Sequence, residues 1–111
     1  MTTDRWFGMS VSEQILNIGG EIQRAVDNDV KEGHIGLKSE RTREYLNKAL
    51  DWINLSELDP KNYNRIGELD AAKSEVIDYF GRNTFGNDSE SIMGYWNSFN
   101  GATCIGSMIT H

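Results

Sequence analysis

A chain of 111 residues has room for one domain, and its 17 Asp and Glu against 11 Lys and Arg leave a net charge of −6. That balance disfavours direct nucleic-acid binding, which needs a basic face to displace counterions from phosphate. A lone cysteine, Cys104, excludes an internal disulfide and points to a reducing, cytoplasmic setting. The start lacks the apolar run of a signal peptide, and no segment approaches the roughly 18 apolar residues of a membrane span.

The elements follow in chain order. Trp6, Phe7 and Met9 make residues 1–9 an apolar plug expected to fold back over the first helix. Ser10 and Glu13 fit a capping box. Val11, Ile15, Ile18, Ile22, Val26 and Val30 then recur at threes and fours, a spacing that only an α-helix lines up on one face. This helix is predicted to run to about Lys31, where Gly33 and Gly36 end it. Gly19-Gly20 inside it predicts close approach at a helix crossing; a ligand or partner backbone pressed there is the alternative.

A second helix is expected from Ser39 to Leu55, with Leu46, Ala49, Leu50 and Ile53 inward, Tyr45 and Trp52 flanking, and Asp59-Pro60 as the stop. The third spans Asn62 to Phe80, burying Ile66, Leu69, Ala72, Val76, Tyr79 and Phe80. Asn87 with Glu90 predicts a further capping box, opening a fourth helix that carries Ile92, Trp96, Phe99 and Thr103 on one side. Residues 101–111 are small and weakly patterned, and are expected to fray unless a neighbouring subunit covers Ile105 and Ile109. The pattern predicts an all-α, compact four-helix up-and-down bundle of one domain.

Reactive groups are sparse. His34 sits in a glycine-rich loop, His111 ends the chain, and no pair of histidine and cysteine has metal-ligand spacing. Phosphate-binding glycine loops and nucleophilic triads are not evident, so neither a catalytic residue, a metal nor a cofactor is assigned. One carboxylate set, Glu68, Glu75 and Asp78, falls along a common helix edge, as in magnesium-dependent nucleotide hydrolases. Its complement on the preceding helix is defective, with Glu44 facing only Asn47. The alternative is ion pairing among Arg65, Glu68, Lys73, Glu75 and Asp78, or across to Glu21 and Arg24. Lys38, Arg41, Arg43 and Lys48 alternate with Glu40 and Glu44 and read as a solvated face.

Several short motifs occur together: Trp6-Phe7-x-Met9-Ser10, Glu13-Gln14, Asn17-Ile18-Gly19-x-Glu21, Ala49-Leu50-Asp51 and Asp59-Pro60-Lys61-Asn62. They continue with Arg65-x-x-Glu68-Leu69, Asp78-Tyr79-Phe80, Ser89-Glu90-Ser91 and Tyr95-Trp96-x-x-Phe99. As a set this resembles a family of small, uncharacterised helical bacterial proteins, frequent in Firmicutes and metagenomic genomes. The resemblance covers Trp6 to about Phe99 and implies a helical fold without an assigned activity. Its polar positions Asn17, Glu21, Arg65, Glu68 and Asp78, with Arg24 beside them, map to a polar seam between the first and third helices.

The expected function is a non-enzymatic, acidic interaction module that binds another protein or itself. Trp52, Tyr95 and Trp96 are the aromatic candidates for its contact patch. Two alternatives stand beside it. One is an inhibitor encoded by a phage or mobile element, of the anti-CRISPR or DNA-mimic kind; the other is the magnesium-dependent hydrolase.

Overall fold

The hydroxyl of Ser10 accepts the Glu13 N–H at 3.1 Å and so starts a helix of 21 residues. The computed structural model describes residues 2–98, and among these every regular element is helical. α1 is Thr3–Phe7, α2 Val11–Lys31, α3 Glu40–Leu58 and α4 Ile66–Phe80, and residues 89–98 form α5. Two 3₁₀ turns, Gly36–Lys38 and Pro60–Arg65, lead into α3 and α4. The fold is therefore all-α and compact, with four longer helices and the short α1. No described helix is long and apolar enough to cross a membrane. Phe99, Thr103, Cys104, Ile105, Ile109, His111 and the tail 101–111 lie outside the described residues.

Element boundaries move where local chemistry overrides pattern. α3 runs to Leu58 rather than Leu55, because proline constrains only the residue directly before it: Asp59 is extended at φ −79°, ψ 122°. The next turn is 3₁₀ and not α, with Asp59 Oδ1 accepting the Lys61 N–H at 3.0 Å. α5 is capped by Asp88, one residue later than the expected Asn87–Glu90 box. Asp88 Oδ1 accepts the Ser91 N–H at 2.7 Å, and Ser91 Oγ accepts the Asp88 N–H at 2.9 Å. Asn87 is unavailable for that role because its N–H and C=O are both bound by the Asn83 side chain.

The α2 stripe forms the centre of the core. Ile15, Ile18, Ile22 and Val26 are buried against Leu46, Ala49 and Ile53 of α3 and against Leu69, Ala72 and Val76 of α4. Val30, the last of the stripe, is instead exposed and lines a shallow groove with Met93 and Gly94. Ile66 is half-buried rather than core. The apolar plug is a helical turn: Trp6 of α1 is fully buried, its ring 5.1 Å from that of Trp52.

The close approach expected at Gly19-Gly20 is made at Gly19, and a side chain makes it. A Cβ there would stand 2.5 Å from Trp96 Nε1, and that indole donates to the Ile15 carbonyl at 3.2 Å. Gly20 has nothing nearer than Arg24 Nη1 at 3.8 Å. Glycine at position 19 thus lets α5 lay a tryptophan directly on the α2 backbone.

Candidate functional site

The most buried polar cluster holds elements together. Gln14 Nε2 donates to the Trp6 carbonyl at 3.0 Å and to Asp59 Oδ2 at 2.8 Å, and Asn62 Nδ2 donates to Gln14 Oε1 at 2.9 Å. Trp6 Nε1 donates to Ser56 Oγ at 2.9 Å, and Lys61 Nζ lies 2.9 Å from Asp59 Oδ2. Burial pushes the Asp59 carboxyl up, but the bonds from Lys61 and Gln14 outweigh it and hold the group below its ordinary value. This knot ties α1, α2 and the end of α3 to one another, and its polar atoms face inward.

Of the residues expected to form a polar seam, Asn17 and Asp78 are taken up by their own helix and loop, and Glu21 turns to α3. Asn17 donates to the Glu13 carbonyl of its own helix at 2.8 Å and is exposed. Glu21 is buried and pairs with Arg24 at 2.7 Å, as expected, but its second cation is Lys48 of α3 at 3.6 Å rather than a residue of α4. The reason is that α2 packs along α3, so the edge of α2 carrying Glu21 meets α3. Arg65 is half-buried and Glu68 exposed. Lys73 pairs with Asp70 at 3.5 Å and Glu57 at 3.6 Å instead of with its helix-edge acids.

Asp78 is occupied by its own loop, and Glu75 Oε2 stands 3.4 Å from Asn87 Nδ2. Among the described residues no three His, Cys, Asp or Glu come together in a way that could hold a metal ion.

The aromatic patch is corrected as well. Trp96 is 1% exposed and belongs to the core, its indole spent on α2. Trp52 is half-buried beneath Trp6 with Lys48 Nζ 5.2 Å from its ring centre. Tyr95 is 36% exposed; burial, then the charges of Glu75 and Glu68, push its phenol up. It therefore faces α4, whereas Trp52 faces α1.

A second set of polar contacts lies at the ends of α2 and α4. α2 and α4 each carry an aspartate two residues before their last residue, and the loop that follows is wired back to it. The Asp29 carbonyl accepts the His34 N–H at 2.7 Å, Oδ1 accepts the Gly36 N–H at 2.8 Å, and Oδ2 lies 3.2 Å from His34 Nδ1. In the second loop the Asp78 carbonyl accepts the Asn83 N–H at 2.7 Å, and Oδ1 and Oδ2 accept the Thr84 and Phe85 N–H groups, each at 2.9 Å. Those bonds hold the Asp78 carboxyl below its ordinary value, Phe85 contributing most. Among the described residues, positive φ occurs only in these two loops, at Gly33, His34, Gly36, Asn83 and Gly86. For His34 and Asn83 that conformation costs about 1–2 kcal/mol each, and the aspartate bonds hold it in place.

The loops meet. Gly36 packs so closely on the end of α4 that a Cβ would lie 3.0 Å from the Phe80 carbonyl oxygen. Beside this contact is a cavity of about 510 Å³, lined by Asp29, His34, Tyr79, Asn83, Asn87 and Asp88 among others. Tyr79 is 9% exposed, its ring edge-on to that of Phe80 with 4.8 Å between centres. Burial, then the charges of Asp29 and Asp88, push this phenol up, so it stays neutral and able both to donate and to accept.

Sequence reasoning assigned His34 to a loop and Tyr79 to the core, and gave Asp29 and Asp88 no role. The available signal was the shared order of Asp, a glycine-bearing turn and an apolar residue six or seven positions on: Asp29, Gly33, Ile35 and Asp78, Gly81, Phe85. No family model, no curated protein and no solved structure matches the chain.

Proposed function

We propose that the protein is a non-enzymatic, acidic helical module that binds another protein through its two anchored loops. On this reading α2 to α5 run up and down, with the loops 32–39 and 81–88 at one end as the contact face. The observation that supports it is apolar exposure on pinned backbone. Ile35 is 44%, Leu37 38% and Phe85 61% exposed, although their loops are fixed by Asp29 and Asp78. Large apolar side chains on a pre-ordered backbone favour association, because little conformational entropy remains to be lost on binding.

The test is crosslinked capture from extract of the expressing cells, followed by titration of the purified partner against the parent chain and against Ile35→Ser with Phe85→Ser. Both positions are exposed, so the fold should persist. A tenfold or larger loss of affinity supports the reading, and unchanged affinity discards it. Light scattering at two concentrations covers the case in which the partner is a second copy.

A further inference from the structure

We infer that the groove between α2 and α5 is the seat of this chain's own residues 101–111, laid back along α5 as a strap. The inference goes beyond the loop-contact reading and does not depend on it.

Three observations carry it. The first is the groove itself. Its floor holds Val26 of α2 and Met93 of α5, both buried, and its open side holds Val30, 46% exposed although it belongs to the α2 stripe. Gly94 lines the same groove, and a Cβ there would meet nothing within 4 Å, so another backbone can come close to α5 at this point. An apolar stripe that stays open on its last turn is a surface short of its cover.

The second is position and reach. α5 runs antiparallel to α2, with Trp96 on Gly19 and Ile15 and with Ser89 beside Val30. Residues 99–111 therefore follow α5 from the Asn97 end of the groove. From Gln23 to Val30 the groove is about 10 Å long by helical rise. A segment the length of 101–111 extends to roughly three times that, which is ample for doubling back. Being tethered, it acts at an effective concentration on the order of millimolar, whereas a separate partner has translational freedom to lose.

The third is chemistry. Ile105, Met108 and Ile109 are the large apolar residues after Phe99, a match for Val26, Val30 and Met93. The ionisable residues of the groove are Asp27 and Glu90, both acidic. No residue of 99–111 has an acidic side chain, and His111 is the one able to carry positive charge. The segment thus meets no like charge there. A second copy of the whole chain, at a net charge of −6, is opposed by that same field.

The test uses the full chain, whose sole thiol is Cys104. Val30→Cys or, separately, Leu16→Cys supplies a second thiol, and crosslinking by a short bismaleimide is followed by mass. Both positions are exposed, so the fold should persist. Leu16 adjoins Ile15, whose carbonyl receives the Trp96 indole near the end of α5, whereas Val30 faces the start of α5. An undocked segment should therefore find Leu16→Cys at least as readily as Val30→Cys.

The docked strap predicts the opposite: crosslinking within one chain at least tenfold faster for Val30→Cys. Adding Met108→Ser with Ile109→Ser should remove that advantage. Equal rates at the two positions, or an advantage that survives the two serines, would overturn the inference. So would crosslinks formed between chains, which assign the groove to a second copy. None of these outcomes bears on the contact made by Ile35 and Phe85.

Discussion

Gly19 and Gly20 are neighbours in sequence with opposite constraints. At Gly19 an added methyl group meets the Trp96 indole at 2.5 Å, so Gly19→Ala should destabilise the fold despite alanine's higher helix propensity. Overpacking of this kind costs about 1–3 kcal/mol. At Gly20 the nearest atom is the flexible end of Arg24 at 3.8 Å, and Gly20→Ala should stabilise by up to about 1 kcal/mol. Urea denaturation midpoints of the two variants should therefore move in opposite directions; a shift of both the same way would contradict the placement of Trp96. Gln14 offers a second test. It bridges the Trp6 carbonyl, Asp59 and Asn62, and Gln14→Ala leaves these buried groups short of partners. The same denaturation should show a loss of about 2–4 kcal/mol from the unmade bonds and the missing packing.

The helix ends are held by short side chains, and these ends respond to pH. Ser39 caps α3 by accepting the Thr42 N–H at 3.2 Å and also receives Asn28 of α2, so Ser39→Ala should cost about 1–2 kcal/mol. Asp59, Asp78 and Asp88 are all held below their ordinary value of 3.8. Their contribution to stability is complete above that value and is lost as pH falls through their lower folded values. Glu57 acts the other way. Burial, then its bond with Asp70, raises it above 4.5, so its protonation favours the fold just above that pH. Stability should hold or rise slightly as pH drops toward 4.5, then fall below 3.8. Asp78→Asn should flatten the acid limb of a melting-temperature profile, and an unchanged limb would remove Asp78 from the account.

These same ends limit what can be read from sequence. The apolar stripes of α2, α3 and α4 were legible because each is set by periodicity alone. The start of α5 was read one residue early, since nothing in the order Asn87-Asp88-Ser89-Glu90-Ser91 reveals that Asn83 already holds Asn87. The candidate site was scarcely legible. It joins Asp29 to Asp88 and His34 to Tyr79 through a meeting of two loops far apart in the chain, and spacing along one helix carries no record of that.

Taken together, the helices build a rigid base whose two anchored loops share one acidic cavity. A basic partner matched to the chain's net charge of −6 should bind less tightly as salt rises. Titration at several ionic strengths measures this, and a salt-independent affinity would detach the charge from the interaction.

The pinning of the loops underlies the proposed function, and native-state amide exchange on the free protein addresses it most directly. The amides of His34, Gly36, Asn83, Thr84 and Phe85 all donate to Asp29 or Asp78. They should exchange at rates close to those of amides within α2 and α4. Exchange of these five at the rate of open, unbonded chain would contradict the account.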